Sequence, residues 1–395
     1  MRILNLGFDR TILSETRDSP NDTRDRHLRY ARALRSRYPA SSLTMVVPAP
    51  ERSPGRLEEV EAGLRVIPVP TSRPLFAIQA LPPLFRLLSD ESFDLITTQT
   101  PFDDGLVGTL LSRRFKLPLH VQMNSSFLDH RLWLRLRFHH QIFNLIGKGV
   151  SRHATTVRVV CSAERHRLES LFPELKGKVT SLHPFVRRCP VAVPVVSHSF
   201  NRALQWLEDS RLFLYVGRLA PEKNLSLLLR AFQRLPDQVG KLILVGDGVM
   251  KKKLERESRG LGISRKAYWA GSQPFLDLQS WYSRAHVTIL PSLFEGFGKV
   301  IVESYLQQTP VVVTPFMSAT ELVEPDRTGY ILRSFKDPDE LAGVLENVSK
   351  DPSVAFQMGK LGKRKMNDYL LSEEEYMGRL ISIWEDTINR HTALC

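Results

Sequence analysis

The sequence predicts an α/β protein of two Rossmann-like domains that face a cleft, and three observations lead to this prediction. Short apolar runs rich in β-branched residues alternate with amphipathic stretches, which is the pattern of parallel sheets covered by helices. A proline-rich stretch interrupts this alternation near the middle of the chain. The alternation then begins again, and in such a pair of sheets a ligand is expected at the carboxyl ends of the strands.

Seven strands are predicted for the first domain, which we assign to residues 1–190. They cover residues 3–6, 43–47, 65–69, 94–97, 119–123, 157–161 and 179–182. Helical patterns lie between most of these strands, for example at residues 24–37 and 105–115. Residues 184–199 contain three prolines and show no helical period, so they are predicted to link the two domains.

The second domain, assigned to residues 200–372, repeats the alternation. Its predicted strands cover residues 212–216, 242–245, 286–290 and 310–313. Its predicted helices cover residues 224–235 and 249–260, and a further helix begins near Gly298. The pattern from Pro338 onwards is helical, and we expect the last helix, in residues 373–395, to pack back on the first domain.

The composition restricts the class of protein. The 395-residue chain is 42% hydrophobic and 25% charged, which is typical of a folded globular protein and excludes a disordered or collagen-like one. No apolar run reaches the length of a membrane-spanning helix, and residues 1–13 lack the apolar core of a signal peptide. The three cysteines form no disulfide framework and no metal spacing, so a cytoplasmic protein is predicted.

The positive charge is concentrated in the first half. Residues 1–195 hold 29 Lys and Arg against 18 Asp and Glu, whereas the rest of the chain is nearly neutral. Such a field favours an anionic partner, either a phosphorylated substrate or an anionic membrane surface, although solubility alone would also account for it. Nucleic acid is not an expected partner, because no recognised module or basic-aromatic repeat is present.

Three segments that follow predicted strands of the second domain carry the candidate chemistry. In "LYVGRLAPEKN", Arg218 and Lys223 flank a turn that opens a helix, and two cations beside a helix N-terminus suit a diphosphate. Taken alone, this segment is better explained as a surface turn with solvated charges. In "LVGDGVM", Gly246 would let the backbone approach a ligand, although a simple strand-to-helix turn explains it as well.

The third segment, "LPSLFEGFGKVIVESY", places Glu295 in a loop at the mouth of a helix and Glu303 more than one turn deeper. Two carboxylates at that separation could hold hydroxyls on different parts of one elongated ligand. Backbone amides of Gly296, Phe297 and Gly298 would supply further donors. An ordinary capped amphipathic helix does not explain a phenylalanine between two glycines.

These segments together resemble a known family. The strings "VGRLAPEKN", "VGDG" and "PSLFEGFGKVIVES", followed by "PVVVT" and "ELVEPDRTGYIL", are similar to the family-four retaining glycosyltransferases of the GT-B fold. The pair of glutamates separated by seven residues matches that family's paired-glutamate motif. The resemblance is specific across residues 212–332 and looser in the first half.

The resemblance implies a transfer of sugar from a nucleotide-diphosphate sugar to an acceptor hydroxyl, with no metal or other cofactor. It implies that Arg218 and Lys223 bind the diphosphate, that Glu303 holds the ribose hydroxyls and that Glu295 contacts the sugar. The implied catalytic set is Arg218, Lys223, Glu295 and Asn124. The implied donor-binding set is Glu303, Gly296, Phe297, Gly298, Gly246 and Gln273, the last of which would border the base.

The expected acceptor is a glycan or lipid-linked molecule in the synthesis of a cell-surface glycan, polysaccharide or glycolipid. Asn124 stands where the family usually has a histidine, and Gly7-Phe8 stands where it usually has two glycines. These departures leave two alternatives open, a non-catalytic GT-B protein that binds sugar nucleotides and a nucleotide-sugar epimerase. The intact pairs of cations and glutamates favour the transferase.

The stretch at residues 131–146, "RLWLRLRFHHQIFNLI", has two interpretations. As an interfacial helix, it would insert its aromatic residues among lipid headgroups while its arginines meet anionic lipid at the inner face of the cytoplasmic membrane. As a core helix, it would cover the first sheet. No metal site is expected, because Asp337-Pro-Asp339 is typical of a helix N-cap and His139-His140 lacks further ligands at the usual spacings.

Overall fold

A computed structural model of the chain describes residues 1–13, 23–50, 58–61, 63–71, 75–188, 198–208 and 210–393. These residues divide into two compact units, Met1–Phe185 with Leu371–Cys395, and Val186–Leu370. The boundary lies within the predicted linker at residues 184–199. Residues 189–197 of that linker are outside the described residues, and its last two residues already belong to a helix.

The first unit contains an eight-stranded sheet. Its strands are β1 (Arg2–Leu6), β2 (Ser42–Ala49), β3 (Glu58–Glu61), β4 (Leu64–Pro70), β5 (Leu95–Thr98), β6 (Leu119–Met123), β7 (Thr156–Val159) and β8 (Val179–Ser181). The spatial order is β3-β4-β2-β1-β5-β6-β7-β8, and every neighbouring pair is parallel except β3 with β4. Apart from the edge strand β3, these strands are largely apolar, as is typical of a sheet with helices on both faces.

Helices cover both faces of this first sheet. They are α1 (Thr23–Arg37), α2 (Phe76–Gln79), α3 (Leu81–Asp90), α4 (Asp103–Phe115), α5 (Arg131–Leu136), α6 (His139–His153), α7 (Ser162–Leu171) and, from the end of the chain, α16 (Glu373–Thr392). One core joins the sheet to α2, α3, α4, α6 and α7, and a second core joins its other face to α1 and α16. Helix α16 begins with a capping box formed by Ser372 and Glu375 and buries Tyr376 and Trp384 in the second core.

The second unit contains a six-stranded, entirely parallel sheet in the order β11-β10-β9-β12-β13-β14. Its strands are β9 (Leu212–Val216), β10 (Lys241–Val245), β11 (Ala267–Gly271), β12 (Val287–Leu290), β13 (Val311–Val313) and β14 (Gly329–Ile331). Its helices are α8 (His198–Leu207), α9 (Leu225–Arg234), α10 (Lys251–Gly260), α11 (Phe275–Arg284), α12 (Lys299–Leu306), α13 (Ala319–Leu322), α14 (Pro338–Lys350) and α15 (Pro352–Tyr369).

The predicted α/β class with two parallel sheets is confirmed. Each of the eleven predicted strands is present, with ends that shift by up to two residues. Three short strands, β3, β11 and β14, were not predicted. All three are edge strands of their sheets, where a strand of three to five residues carries little periodic signal.

The stretch at residues 131–146 does not form one helix. It is divided between α5 and α6, because the backbone is extended at Arg137. Helix α6 packs on the first sheet through Ile146 and Val150, so the interpretation as a core helix is confirmed for the end of the stretch. No helix in the described part of the chain is both long and apolar enough to cross a membrane.

Candidate active site

The strand order of the second sheet creates a crevice between β9 and β12. The chain proceeds from β9 outwards to β10 and β11 on one side and from β12 to β13 and β14 on the other. The loops that follow β9 and β12 therefore diverge, and such a switch point is where parallel α/β sheets bind ligands. Arg218 and Lys223 follow β9, and Glu295 follows β12.

Two neighbouring loops, after β9 and β10, are joined by backbone contacts. The Gly217 N–H donates to the Val245 carbonyl at 3.0 Å, and the Leu219 N–H donates to the Asp247 carbonyl at 2.8 Å. Gly246 has a φ of 135°, and a side chain there would collide with the Gly217 carbonyl oxygen. Glycine at this position is thus needed to bring the two loops together, and its interpretation as a backbone approaching a ligand stays a prediction.

Lys223 and Glu295 form an ion pair across the crevice. The Lys223 Nζ lies 2.5 Å from the Glu295 Oε1, and only 14% and 13% of the two side chains are exposed. The Ser292 hydroxyl donates to the same carboxylate oxygen at 2.6 Å. Lys223 ends a short 3-10 turn, and Asn224, with a left-handed φ of 52°, begins α9. The chain thus places one ammonium and one carboxylate at the switch point in fixed positions.

The backbone of Arg218 is held by a hydrogen bond, whereas its side chain is exposed. The buried Tyr215 hydroxyl donates to the Arg218 carbonyl at 2.8 Å. Its guanidinium is 78% exposed and pairs with Glu222 at 3.1 Å, an exposed ion pair of the kind that contributes little to stability. The Glu222 carbonyl accepts from the Leu293 N–H at 2.8 Å and so ties this loop to the one after β12. The guanidinium is therefore able to leave Glu222 for an anion in the crevice.

Glu303 lies in α12 and is buried. The Tyr282 hydroxyl, from α11, donates to its Oε2 at 2.9 Å, and burial raises the pKa of the Glu303 carboxyl above its usual value. Burial, and then the neighbouring carboxylate, raises the pKa of Tyr282 in turn. The second carboxylate oxygen, Oε1, makes no hydrogen bond with any described residue. One oxygen is thus held in place while the other is available to a ligand.

Residues 296–298 lead into α12. Gly298 precedes the helix with a φ of 80°, in the left-handed region that favours glycine. Phe297 is buried and stacks on Tyr369, with ring centroids 6.3 Å apart and planes at 17°. This stacking fixes the turn, so the phenylalanine between two glycines has a structural role besides the predicted contact of its amide with the donor. Gln273 follows β11, and its Nε2 donates to the Ala270 carbonyl at 2.7 Å.

Asn124 belongs to the first unit, where it follows β6 and is exposed. Its Nδ2 donates to the Gln99 carbonyl at 3.2 Å. The loop at Gln99 follows β5 and is held by Asp104, whose Oδ2 accepts from the Gln99 and Thr100 N–H groups at 2.8 Å each. The Thr100 hydroxyl donates to the other carboxylate oxygen. Burial raises the pKa of Asp104 to about 7 against the hydrogen bonds from this loop, which lower it.

The two sequence features with ligand-like spacing outside the crevice have structural roles. Asp337 is the N-cap of α14 and accepts from the Asp339 and Glu340 N–H groups at 3.0 Å each, which confirms the predicted cap. His140 stacks on Trp133 with ring centroids 4.3 Å apart. Among the described residues, no three His, Cys, Asp or Glu side chains group as metal ligands.

The structure thus brings together some of the predicted site residues. Lys223 contacts Glu295 directly, and Arg218 lies in the same loop as Lys223. Three contributing side chains were not predicted: Ser292, Tyr282 and Asp104. Ser292 lies within the quoted motif, three residues before Glu295, whereas no local pattern predicts the reach of Tyr282 to Glu303.

Two family models match the chain. Residues 198–365 match glycosyl transferases group 1, and residues 27–180 match the glycosyl transferase 4-like domain. The chain belongs to the group 1 glycosyltransferases. Both matches support a transferase rather than a non-catalytic binding protein or an epimerase.

Relatives and solved structures agree with this assignment. The D-inositol 3-phosphate glycosyltransferase of Kribbella flavida is 29% identical over 208 residues, which cover 50% of this chain and 49% of that protein. The matches span about half the length of the first curated relatives.

Two solved structures share the fold over nearly the whole chain. Sucrose-phosphate synthase from Thermosynechococcus elongatus has a TM-score of 0.78 at 19% identity and covers 98% of both chains. HepE of Anabaena, crystallised with UDP-glucose, has a TM-score of 0.74 at 16% identity and covers 97% of this chain and 99% of its own. The fold of this glycosyltransferase is therefore GT-B.

Proposed function

We propose that this glycosyltransferase moves a sugar from a nucleotide-diphosphate donor to an acceptor hydroxyl with retention of the anomeric configuration. The observation that carries the proposal is the Lys223–Glu295 pair at the switch point, with Arg218 in the same loop. An ammonium offers three donors and a guanidinium offers five, which suits the several oxygens of a diphosphate. The structure of HepE with UDP-glucose supports a donor of this class in the same fold.

The proposed reaction breaks the bond between the anomeric carbon and a phosphate oxygen and forms one between that carbon and the acceptor oxygen. Negative charge grows on the leaving diphosphate, and Lys223 and Arg218 stabilise it most when the bond is nearly broken. In retention, the acceptor approaches the face from which the diphosphate departs. A phosphate oxygen can therefore take the acceptor's proton, and no histidine is required at Asn124.

The carboxylates are assigned to hydroxyl groups of the donor. The family resemblance assigns Glu303 to the ribose and Glu295 to the transferred sugar. The available Oε1 of Glu303 and the position of Glu295 beside Lys223 are compatible with these roles. Hydroxyl groups donate to carboxylates more strongly than to neutral acceptors. For the acceptor we propose a glycan or a lipid-linked molecule used in cell-surface glycan, polysaccharide or glycolipid synthesis, which the basic first half of the chain supports if that acceptor is anionic.

The experiment follows the anomeric proton of the product by nuclear magnetic resonance. A thermal-shift screen of nucleoside diphosphates first identifies the base, because a ligand of the folded state stabilises it by RT ln(1 + [L]/Kd) and so raises the melting temperature. The matching α-linked sugar donor is then incubated with the enzyme and water as the acceptor. We expect the released sugar to appear first as the α-anomer. An initial β-anomer would contradict retention, and no stabilisation by any nucleoside diphosphate would contradict the assigned donor class.

A further inference from the structure

An exposed apolar ridge lies on the first unit, on and just before α6. Phe138 is 79% exposed, Ile142 is 53% exposed and Leu145 is 72% exposed. Spacings of four and three residues place these side chains on one face of a helix. We call Phe138, Ile142 and Leu145 the ridge. Three large apolar side chains that share one exposed face are unusual on a surface that only meets water.

The side of α6 that contacts the protein contains small and polar residues where an amphipathic helix usually has large apolar ones. It buries Asn144, Gly147, Val150 and Ser151 against the protein. The Asn144 carboxamide exchanges hydrogen bonds with Asp129, and a methyl group at Gly147 would come 2.7 Å from Leu128. Small and polar residues thus share the core contact with Val150 and the half-buried Phe143 and Ile146, whereas Phe138, Ile142 and Leu145 point outwards. Packing against the core therefore does not explain why Phe138, Ile142 and Leu145 are apolar.

The charged residues within the segment that contains the ridge have one sign. Residues 130–163 contain six Lys and Arg and no Asp or Glu. Lys148 pairs with Asp129 and Arg152 pairs with Glu174. In contrast, Arg131, Arg135 and Arg137 are exposed and form no ion pair within the described part of the chain. Three arginines without counter-ions beside an apolar ridge are complementary to a surface in which an anionic layer covers an apolar layer.

Aromatic stacking joins α5 to α6 at the start of the ridge. Trp133 of α5 stacks on His140 of α6 with ring planes at 8°, and it stacks on Phe102 with centroids 5.4 Å apart. The His140 Nδ1 also contacts the Trp133 carbonyl at 2.7 Å. These contacts hold α5, which carries Arg131 and Arg135, against α6, which carries Ile142 and Leu145.

We propose that the α5–α6 surface docks this enzyme on an anionic lipid bilayer. Phe138, Ile142 and Leu145 enter the boundary between headgroups and acyl chains, while Arg131, Arg135 and Arg137 meet the headgroup phosphates. A second copy of the chain is a poorer occupant, because a two-fold interface would place the same arginines against each other. The surface would bring the enzyme to a lipid-linked acceptor, but lipid binding itself is independent of the proposed reaction.

The test is flotation of the full chain with vesicles of phosphatidylcholine alone and of equimolar phosphatidylcholine and phosphatidylglycerol. We expect about tenfold higher recovery with the anionic vesicles and a loss of binding at high salt. The ridge variant F138S/I142S/L145S and the charge variant R131Q/R135Q/R137Q should each lose most of that recovery. The matched control V354S/F356S/L361S changes three exposed apolar residues of α15 in the other unit and should float like the original protein.

Equal recovery from both kinds of vesicle would overturn the electrostatic part of the proposal. Unchanged flotation of the ridge variant, or equal loss in the α15 control, would overturn the assignment to this surface. Sedimentation as a dimer that only the ridge variant abolishes, without lipid binding, would assign the surface to a second copy instead. Circular dichroism and the melting-temperature shift with nucleoside diphosphate report whether each variant is folded, and they keep failure of docking distinct from failure of the proposed donor site.

Discussion

The carboxyl ends of the two sheets carry different chemistry. At the switch point of the second sheet, between β9 and β12, the charged pair Lys223–Glu295 lies beside Arg218. In the first sheet the corresponding switch point lies between β1 and β5, and there Gln99 lies against Gly7, with Asn124 on the Gln99 carbonyl. The first arrangement suits a pyrophosphate, and the second, in which Gln99 and Asn124 carry no charge, suits hydroxyl groups. Charge stabilisation is therefore expected from one unit and hydrogen bonding from the other.

The buried carboxyl groups of Asp104, in the first unit, and Glu303, in the second, differ in how many of their oxygens are occupied by hydrogen bonds. Both oxygens of Asp104 are occupied by hydrogen bonds from its own loop, so this side chain builds the loop. Glu303 uses one oxygen for Tyr282 and leaves the other available. A buried carboxyl group with all its acceptors occupied is structural, whereas one with an available acceptor can bind a ligand.

We call the carboxyl edge of the second sheet, with Lys223, Glu295 and Arg218, the charged edge, and that of the first sheet, with Gln99 and Asn124, the neutral edge. The largest effect is expected from a substitution at the charged edge. The variant K223M removes a donor aimed at the leaving diphosphate, and we expect kcat to fall by about 10²–10³-fold. The neutral-edge variant N124A should lose only about fivefold, the value of one ordinary hydrogen bond of about 1 kcal/mol. Steady-state kinetics with the donor identified by thermal shift would measure both. The control K350M removes a lysine from an exposed pair on α14 and should change kcat by less than twofold.

Because removing Lys223 leaves Glu295 without its counter-ion, the kinetic result requires a test of folding. The double variant K223M/E295Q removes both charges and should be more stable than K223M alone. If the double variant is well folded and kcat is still within a few-fold of the original, Lys223 does not stabilise the leaving group. Losses of equal size in K223M and N124A would remove the contrast between the two edges.

A smaller effect is expected from substitution of Glu303, and it should change the KM for the donor rather than kcat. A hydrogen bond to a charged acceptor contributes about 1.5–3 kcal/mol and one to a neutral acceptor about 1 kcal/mol, so E303Q should raise the donor KM by about fivefold to tenfold with little change in kcat. Y282F removes the hydroxyl that positions the carboxylate and should raise KM by a few-fold. The control Y305F also deletes a buried tyrosine hydroxyl, which donates to Thr328 at 2.9 Å, but from a residue that does not touch Glu303.

An unchanged donor KM in E303Q would contradict the assignment of this residue to the ribose. If Y305F raised the donor KM as much as Y282F, the effect of Y282F would be one of general packing. Thermal unfolding of all three variants separates these outcomes, because both tyrosine variants lose one buried hydrogen bond and should lose similar stability.

The sequence predicts the strands and the charged edge well, because both depend on local patterns. Lys223 and Glu295 each follow a strand, and parallel strands of one sheet bring their carboxyl ends to one edge. The hydroxyl of Tyr282 could not be predicted, since its contact with Glu303 depends on how α11 packs on α12. The exposed ridge was also missed as a unit, because the periodicity of residues 131–146 indicates an apolar stripe but not which side of it meets the core.

The smallest effect concerns Asp104 and the pH dependence of stability. Its pKa is about 7 in the folded protein, against 3.8 as the ordinary value for Asp, so between these values the folded state keeps a proton that the unfolded state has lost. Raising the pH in this window therefore favours unfolding, and from pH 6 to pH 7 the unfolding free energy should fall by about 1 kcal/mol relative to D104N. Urea unfolding of both proteins at the two pH values measures the difference.

The variant D104N is suited to this comparison because an amide can keep the loop's hydrogen bonds. Its oxygen can accept from the Gln99 and Thr100 N–H groups, and its nitrogen can donate to the Thr100 hydroxyl. Burial lowers the pKa values of His27 and His120 to about 3, but both proteins contain these residues, so their contribution cancels in the difference. Parallel stability curves from pH 6 to pH 7 would mean that Asp104 is already ionised and that its three hydrogen-bond donors outweigh the cost of burial. In that case the neutral edge of the first unit would be built on a buried charge, and the contrast with the second unit would lie in which oxygens are free to bind a ligand.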